Sequence, residues 1–237
     1  MAALSAAGWR LAILLWLLPL AGHAASPFTC VAEDRDGFAT QAADGTISGS
    51  ATTLCQQLAT ALGREVAAGI RLILVEPDTG GALPPADVAF VSADLLAERG
   101  VAQSVITGPV VFSDPVQVLV PAASAIRTPD DLAGQIVCFM IGSPANRALE
   151  SYFAGRRQGP IRLPFREGVE MLDAYNVGRC DATVVERSGL GDMLADTGIN
   201  HLQSRVLDRA IGISPIAAVV SVARKDEAAR IFAGVAK

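Results

Sequence analysis

Apolar residues recur along the chain at two periods. Alternating or continuous β-branched runs predict strands at "IRLILVE" (70–76), "ADVAFV" (86–91), "VQVLV" (116–120), "QIVCFMI" (135–141), "DATVVE" (181–186) and "IAAVVSV" (216–222). Helical spacing predicts helices near 50–63, 144–156, 168–177, 189–197 and 225–236. Strand alternating with helix implies βαβ units and mainly parallel sheet, an α/β protein. Two passages break the alternation: "GPVVFSDPVQVLVPAASAI" (108–126) and "GISPIAAVVSVARK" (212–225) are extended and punctuated by proline. They bracket the middle of the chain, so that segment is expected to be a separate lobe entered on one crossing and left on the other. The expected organisation is lobe 1 over 26–115, a hinge crossing at 116–126, an inserted lobe 2 over 127–212, and a second crossing with a short return to lobe 1 over 213–237.

The middle segment opens with its own helix signal. In "RTPDDLAGQ", Thr128 is a helix N-cap, Pro129 takes the first helical position, two carboxylates follow in the first turn, and Gly134 marks the stop. No internal repeat or low-complexity segment appears.

The amino terminus changes the picture of where the protein works. Arg10, the ten-residue apolar core "LAILLWLLPL" and the small-x-small site Gly22 to Ala24 read as a cleaved export signal over 1–24. The apolar run is short for a membrane span. Cleavage after Ala24 removes one of 19 basic residues and none of the 24 acidic ones, so the formal charge moves from −5 to −6. An acidic mature chain argues against nucleic acid or an anionic membrane surface as partner. Apolar residues make up 51% of the chain but aromatics only 5%, which fits strands covered on both faces.

All four cysteines, Cys30, Cys55, Cys138 and Cys180, lie beyond the signal, and an exported chain is expected to oxidise them into two bridges. Three connectivities are possible. Sequential pairing keeps each bridge inside one half of the chain and would add about 3.5 and 4 kcal/mol through loop entropy as upper values. A metal site is not expected, because there is no C-x-x-C and His201 is the single histidine left after cleavage. His201 itself reads as a surface or loop residue. The cluster "AGRRQGPIR" (154–162) reads as a solvated helix end, or as a face for a partner.

Two elements carry candidate chemistry. After "QIVCFMI", the stretch "GSPANRAL" offers Gly142 for a tight turn, Ser143 as a cap and Pro144 in the first helical turn, so free N–H groups point back at the strand end. In open α/β sheets ligands bind at carboxyl ends of strands, which makes this an anion cradle, although any strand-to-helix turn has the same look. In "GRCDATVVERSGL", Glu186 ends a strand of the same lobe and offers a carboxylate to a cation, or equally a first-turn carboxylate to the following helix. A cradle for an anion facing a carboxylate would suit an amino acid.

The stretch "GRCDATVVERSGL" resembles the corresponding strand of the general L-amino-acid-binding proteins, within the polar-amino-acid family (family 3) of periplasmic solute-binding proteins that serve ABC importers. The four cysteines resemble that branch's two disulfides, one of them joining the strand before the anion turn to this strand. The similarity runs from about Cys30 to about Arg230. It implies a two-lobed periplasmic-binding-protein-like fold, location in the periplasm, no cofactor, a monomer, and closure of the lobes on a small polar solute for delivery to a membrane permease. Residue by residue, it implies that Glu186 grips a ligand ammonium, that Gly142 and Ser143 hold its carboxylate, that Arg99 and Ser92 assist, and that Phe38 in "DGFATQAADGTISG" packs against the ligand.

The departures fall on the first lobe and on the carboxylate clamp. No carboxylate opens the helix at "SATTLC", "DTGGALPPAD" replaces a helix before "ADVAFV", and Asp94 stands where a hydroxyl is expected, a like charge beside a bound carboxylate. Pro144-Ala145 replaces further hydroxyl donors. Two alternatives follow from these losses. One is a periplasmic accessory module with a degenerate pocket, partnered by an oxidoreductase such as a dehydrogenase. The other is a periplasmic dehydratase-like enzyme, for which Glu186 is the one candidate base and no nucleophile motif is present. The asymmetry between the two halves of the clamp favours an amine-bearing solute over an ordinary amino acid.

Overall fold

The computed structural model describes residues 27–64, 70–75, 82–195 and 204–235; the export signal and His201 lie outside them. The first lobe begins with β1 (Phe28–Glu33), the short pair β2 (Thr40–Gln41) and β3 (Ile47–Ser48), and α1 (Ser50–Ala61). It continues with β4 (Ile70–Val75), β5 (Val88–Ser92) and α2 (Ala93–Glu98). The long β6 (Val105–Pro121) then leads into β7 (Ile136–Met140), α3 (Pro144–Phe153), β8 (Ile161–Phe165), α4 (Gly168–Asn176), β9 (Ala182–Glu186) and α5 (Arg187–Ala195). Last come β10 (Ser204–Val206), β11 (Gly212–Ser221) and α6 (Lys225–Val235).

The sheet order is β4-β1-β5-β11-β6-β9-β7-β8, with β10 on β6. The triplets β4-β1-β5 and β9-β7-β8 are parallel, as the alternation of strand and helix requires, and the two crossings β6 and β11 run antiparallel between them. Both extended passages of the sequence are therefore strands, and they are hydrogen-bonded to each other from Val116 with Gly212 to Val105 with Ser221. Residues 82–87 form no helix, in keeping with Pro84-Pro85. The turn after Thr128 is a single turn of 3-10 helix, Pro129–Leu132, closed by a capping box between Thr128 and Asp131.

Each lobe buries both faces of its strands. In the first, Phe38, Leu58, Phe90 and Ile231 pack under α1 and α6, while Val31, Val91 and Leu95 pack on the opposite face. In the second, Leu132, Phe139 and Leu149 pack beside α3, and Met171 and Tyr175 of α4 cover the other face. The cysteines pair sequentially: Cys30 with Cys55 at a Cα separation of 6.2 Å ties β1 to α1, and Cys138 with Cys180 at 5.8 Å ties β7 to the start of β9. Gly49, ahead of α1, has φ 116°, and a Cβ there would lie 2.2 Å from the Phe38 carbonyl oxygen. Only glycine fits this approach, which lets the Ala51 N–H bond the same oxygen at 2.9 Å.

Candidate functional site

Register places the site. Ser92, at the end of β5, pairs with Ile216, which pairs with Phe112 of β6. Glu186, at the end of β9, pairs with Val116 of the same strand. The carboxyl ends of the two parallel triplets thus converge from opposite directions on positions four residues apart, about 13 Å along β6. Between them opens a cleft of about 260 Å³, lined by Glu33, Asp34 and Arg35 at the end of β1, by Ser92, Asp94, Leu95 and Glu98 at α2, by Met140 to Pro144 and Arg147, and by Glu186, Ser188 and Gly189. Its size is slightly below the roughly 300–1,000 Å³ of sites for drug-sized ligands, so it suits a small solute.

A buried ionic chain forms the floor. Arg35 donates from Nε and Nη2 to Glu33 Oε1 at 2.9 and 2.7 Å, and from Nη1 to Asp114 Oδ2 at 3.2 Å. Glu33 is 0% exposed, Asp114 1% and Arg35 8%. Burial works against the Arg35 charge, but Glu33, Glu186 and Asp114 together more than offset this, and the guanidinium is held above its ordinary range. Asp114 sits on β6 between the two convergent strand ends and also accepts from Ser188 N at 3.2 Å and Ser188 Oγ at 2.6 Å. Glu33 Oε2 accepts from Ser92 N at 2.6 Å. One chain of contacts therefore runs from the start of α2 through Glu33, Arg35 and Asp114 to the start of α5.

Glu186 stands on the second-lobe wall, where its Oε1 accepts from Ala145 N at 3.1 Å, in the first turn of α3. Burial pushes its carboxyl above the ordinary value of 4.5, and hydrogen bonds from backbone N–H groups together with the Arg35 charge only partly offset this. The folded protein thus holds this proton more tightly than the unfolded chain does, and stability falls as pH rises from 4.5 through the raised value. Glu186→Gln, which never ionises, is expected to gain stability relative to the parent protein as pH is raised from about 4.5 to 7. Urea unfolding across that range measures it; an offset independent of pH would show that Glu186 titrates as a solvated group.

Arg147 closes the mouth. From α3 of the second lobe its Nη2 lies 2.6 Å from Asp94 Oδ2 of α2 in the first, an ion pair outside hydrogen-bond geometry, and its Nη1 donates to the Gly142 carbonyl. The pair is roughly one-third exposed, so by itself it contributes little to stability.

The cleft brings together four of the six residues expected to bind ligand: Ser92, Gly142, Ser143 and Glu186. Gly142 makes the predicted turn with φ 76°. Ser92 and Ser143 are both helix N-caps, accepting from Leu95 N and Asn146 N at 3.1 Å each, and Ser143 Oγ also donates to the Met140 carbonyl at 2.9 Å. Phe38 and Arg99 do not line the cleft. Phe38 is 1% exposed and packs edge-on to Phe90 at 6.2 Å and against Phe112 at 5.1 Å, held in the core by the close approach at Gly49. Arg99 is the C-terminal cap of α2, directly after the cleft-lining Glu98, and is not among the residues that line the cleft. Glu33, Arg35, Asp114 and Arg147 were not singled out by sequence; the signal available was "AEDRDG", a burst of charge directly after an apolar strand.

No family model and no curated protein matches the chain. Solved structures do. An ABC transporter periplasmic binding protein from Brucella ovis with glutathione bound aligns at TM-score 0.62 and 18% identity over 88% of this chain, which spans 66% of that structure. The fold is that of the two-lobed periplasmic binding proteins. Holo ArgBP from T. maritima shares the binding-protein fold at TM-score 0.56 and 18% identity, over 90% of this chain and 89% of the other. The substrate-binding protein AbpA of an amino acid ABC transporter from Streptococcus pneumoniae, bound to L-arginine, aligns at TM-score 0.54 and 16% identity, over 90% and 88%. Among the described residues no helix is long and apolar enough to cross a membrane.

Proposed function

We propose that the protein is an exported, periplasmic solute-binding protein of the polar-amino-acid type that closes its two lobes on a small amino acid or amine-bearing polar solute and delivers it to an ABC importer. The observation that carries this reading is Glu186, a partly buried carboxylate at a strand end, in a cleft formed by both lobes. The amino-acid-binding neighbours of the same fold support it. The lobes hinge in this reading where β6 and β11 pass from one to the other, about Asp114 and Ser214, which face each other across the ladder. Closure is a population shift driven by a ligand that touches both walls.

A thermal-shift and calorimetric screen of amino acids and amines tests it. At least one compound is expected to bind, and Glu186→Ala to weaken that compound about 30-fold or more, as for removal of one partner of a buried charge pair. One observation favours a second reading as an accessory module partnered by a periplasmic protein. Backbone donors at the cleft already serve the chain's own carboxylates, Ala145 N–H for Glu186 and Ser92 N–H for Glu33, and Arg147 is ion-paired with Asp94. A silent screen, with a co-purifying protein partner and indifference to Glu186→Ala, would select that reading over the first.

A further inference from the structure

We infer that the cleft takes a cation that carries no carboxylate, an amine, diamine or guanidinium compound, rather than an amino acid. The inference rests on the receptor reading above and narrows its substrate class.

A ligand carboxylate needs N–H or O–H groups, and a cationic partner, to replace its water. Among the described residues the cleft has two arginines. Arg35 is spent on Glu33 and Asp114 in the buried floor. Arg147 is ion-paired with Asp94 of the opposite lobe at 2.6 Å, its Nη2 making no hydrogen bond there, and its Nη1 donates to the Gly142 carbonyl. At the helix N-termini several N–H groups are engaged from within: Ala145 N–H points at Glu186, Asn146 N–H at the Ser143 hydroxyl and Leu95 N–H at the Ser92 hydroxyl. Ser92 N–H, which opens α2, is taken by Glu33.

Charge leads to the same conclusion. Among the described residues five carboxylates and two guanidiniums line the cleft, a formal balance of −3. Turning Arg147 toward a ligand carboxylate would not alter that balance, because it would uncover Asp94 beside the same anion. A cation meets the opposite situation: it relieves the repulsion among the wall carboxylates and favours the ionised form of Glu186. The Arg147 guanidinium on Asp94 already shows one such contact, made by the chain to itself.

Matched pairs that differ by one carboxylate test this on the full mature protein: agmatine against arginine, cadaverine against lysine, putrescine against ornithine, each by calorimetry. In at least one pair the decarboxylated member is expected to bind at least tenfold tighter, and Arg147→Ala to leave that preference intact or enlarge it by releasing Asp94. An amino acid that binds as tightly as its amine, or one that is selectively lost in Arg147→Ala, would overturn the inference while leaving the receptor reading standing. Silence from all six compounds, with binding of a carboxylate-bearing solute in the wider screen, would overturn it equally; silence throughout removes the receptor reading and this inference with it.

Discussion

Replacing Arg35 by alanine lowers the free energy of unfolding by about 3–5 kcal/mol at neutral pH, the loss expected when one member of a buried ionic cluster is removed. Arg35 is the cation that Glu33 and Asp114 share. Both carboxylates are cut off from water, so neither recovers by solvation what it loses in the variant. Arg35→Lys restores the charge but only part of the stability, since one ammonium replaces a planar fork that reaches Glu33 through two nitrogens and Asp114 through a third. A triple replacement, Arg35→Met with Glu33→Gln and Asp114→Asn, is expected to recover more than Arg35→Lys does, because no unpaired charge remains. Equilibrium unfolding in guanidinium chloride measures all three. A loss below about 1 kcal/mol for Arg35→Ala, the level of an exposed ion pair, would mean that water reaches this cluster.

That cluster was the part of the site least legible in the sequence. The strand it hangs from, "FTCVAE", is absent from the predicted strands, although with a threonine and a terminal carboxylate it matches "DATVVE" in kind. Its membership in the sheet is set by parallel partners on both sides, β4 and β5, which is tertiary information. The same holds for β8, whose "IRLPF" has arginine and proline in it and lies at the edge of the sheet. The crossings were legible as extended segments, but their pairing with each other was not, because antiparallel register between residues a hundred positions apart leaves no local trace. Caps and turns, by contrast, are local, and Ser143-Pro144, Thr128-Pro129 and Gly142 stand where their chemistry puts them.

The two candidate poles illustrate a subtler limit. Sequence places the turn at Gly142 and the carboxylate of Glu186 at strand ends of one lobe, facing one crevice. The structure adds that β7 and β9 are neighbouring parallel strands, so their ends lie side by side and Glu186 bonds the first turn of the helix that was expected to hold an anion. The carboxylate answers both descriptions given for it, a helix-terminus partner and a cleft-lining acid. Its proximity to the cradle removes one donor from any incoming anion. Arg147 completes this picture, because its place in the first turns of α3 carries it to the opposite lobe, where Asp94 no longer stands unopposed.

Breaking the bridge between Cys138 and Cys180 with paired alanines is expected to cost about 4 kcal/mol, from the entropy that a closed loop of this length removes from the unfolded chain. The corresponding change at Cys30 and Cys55 closes a shorter separation, 25 against 42 residues, and is expected to cost about 3.5 kcal/mol. The bridges lie in different lobes and share no packing cluster, so the effects should add. Together they approach the whole stability of an ordinary domain, and the protein lacking both is expected to be unfolded at 37 °C. The functional consequences should differ even where the stabilities are similar. Cys138 lies in the centre of β7, directly before the turn at Gly142, and Cys180 precedes β9, six residues ahead of Glu186. β7 and β9 are joined in register at only two pairs, Val137 with Ala182 and Cys138 with Thr183. The bridge thus fixes the distance between the two elements of the second-lobe wall, whereas Cys30 and Cys55 tie α1 to β1, a strand already held on both sides by β4 and β5. Loss of the second bridge should therefore weaken binding of an amine at temperatures where the protein is still folded, and loss of the first should not. Calorimetry on both paired variants at 10 °C decides this, with circular dichroism to verify folding; equal affinities in the two would assign the Cys138–Cys180 bridge to stability alone.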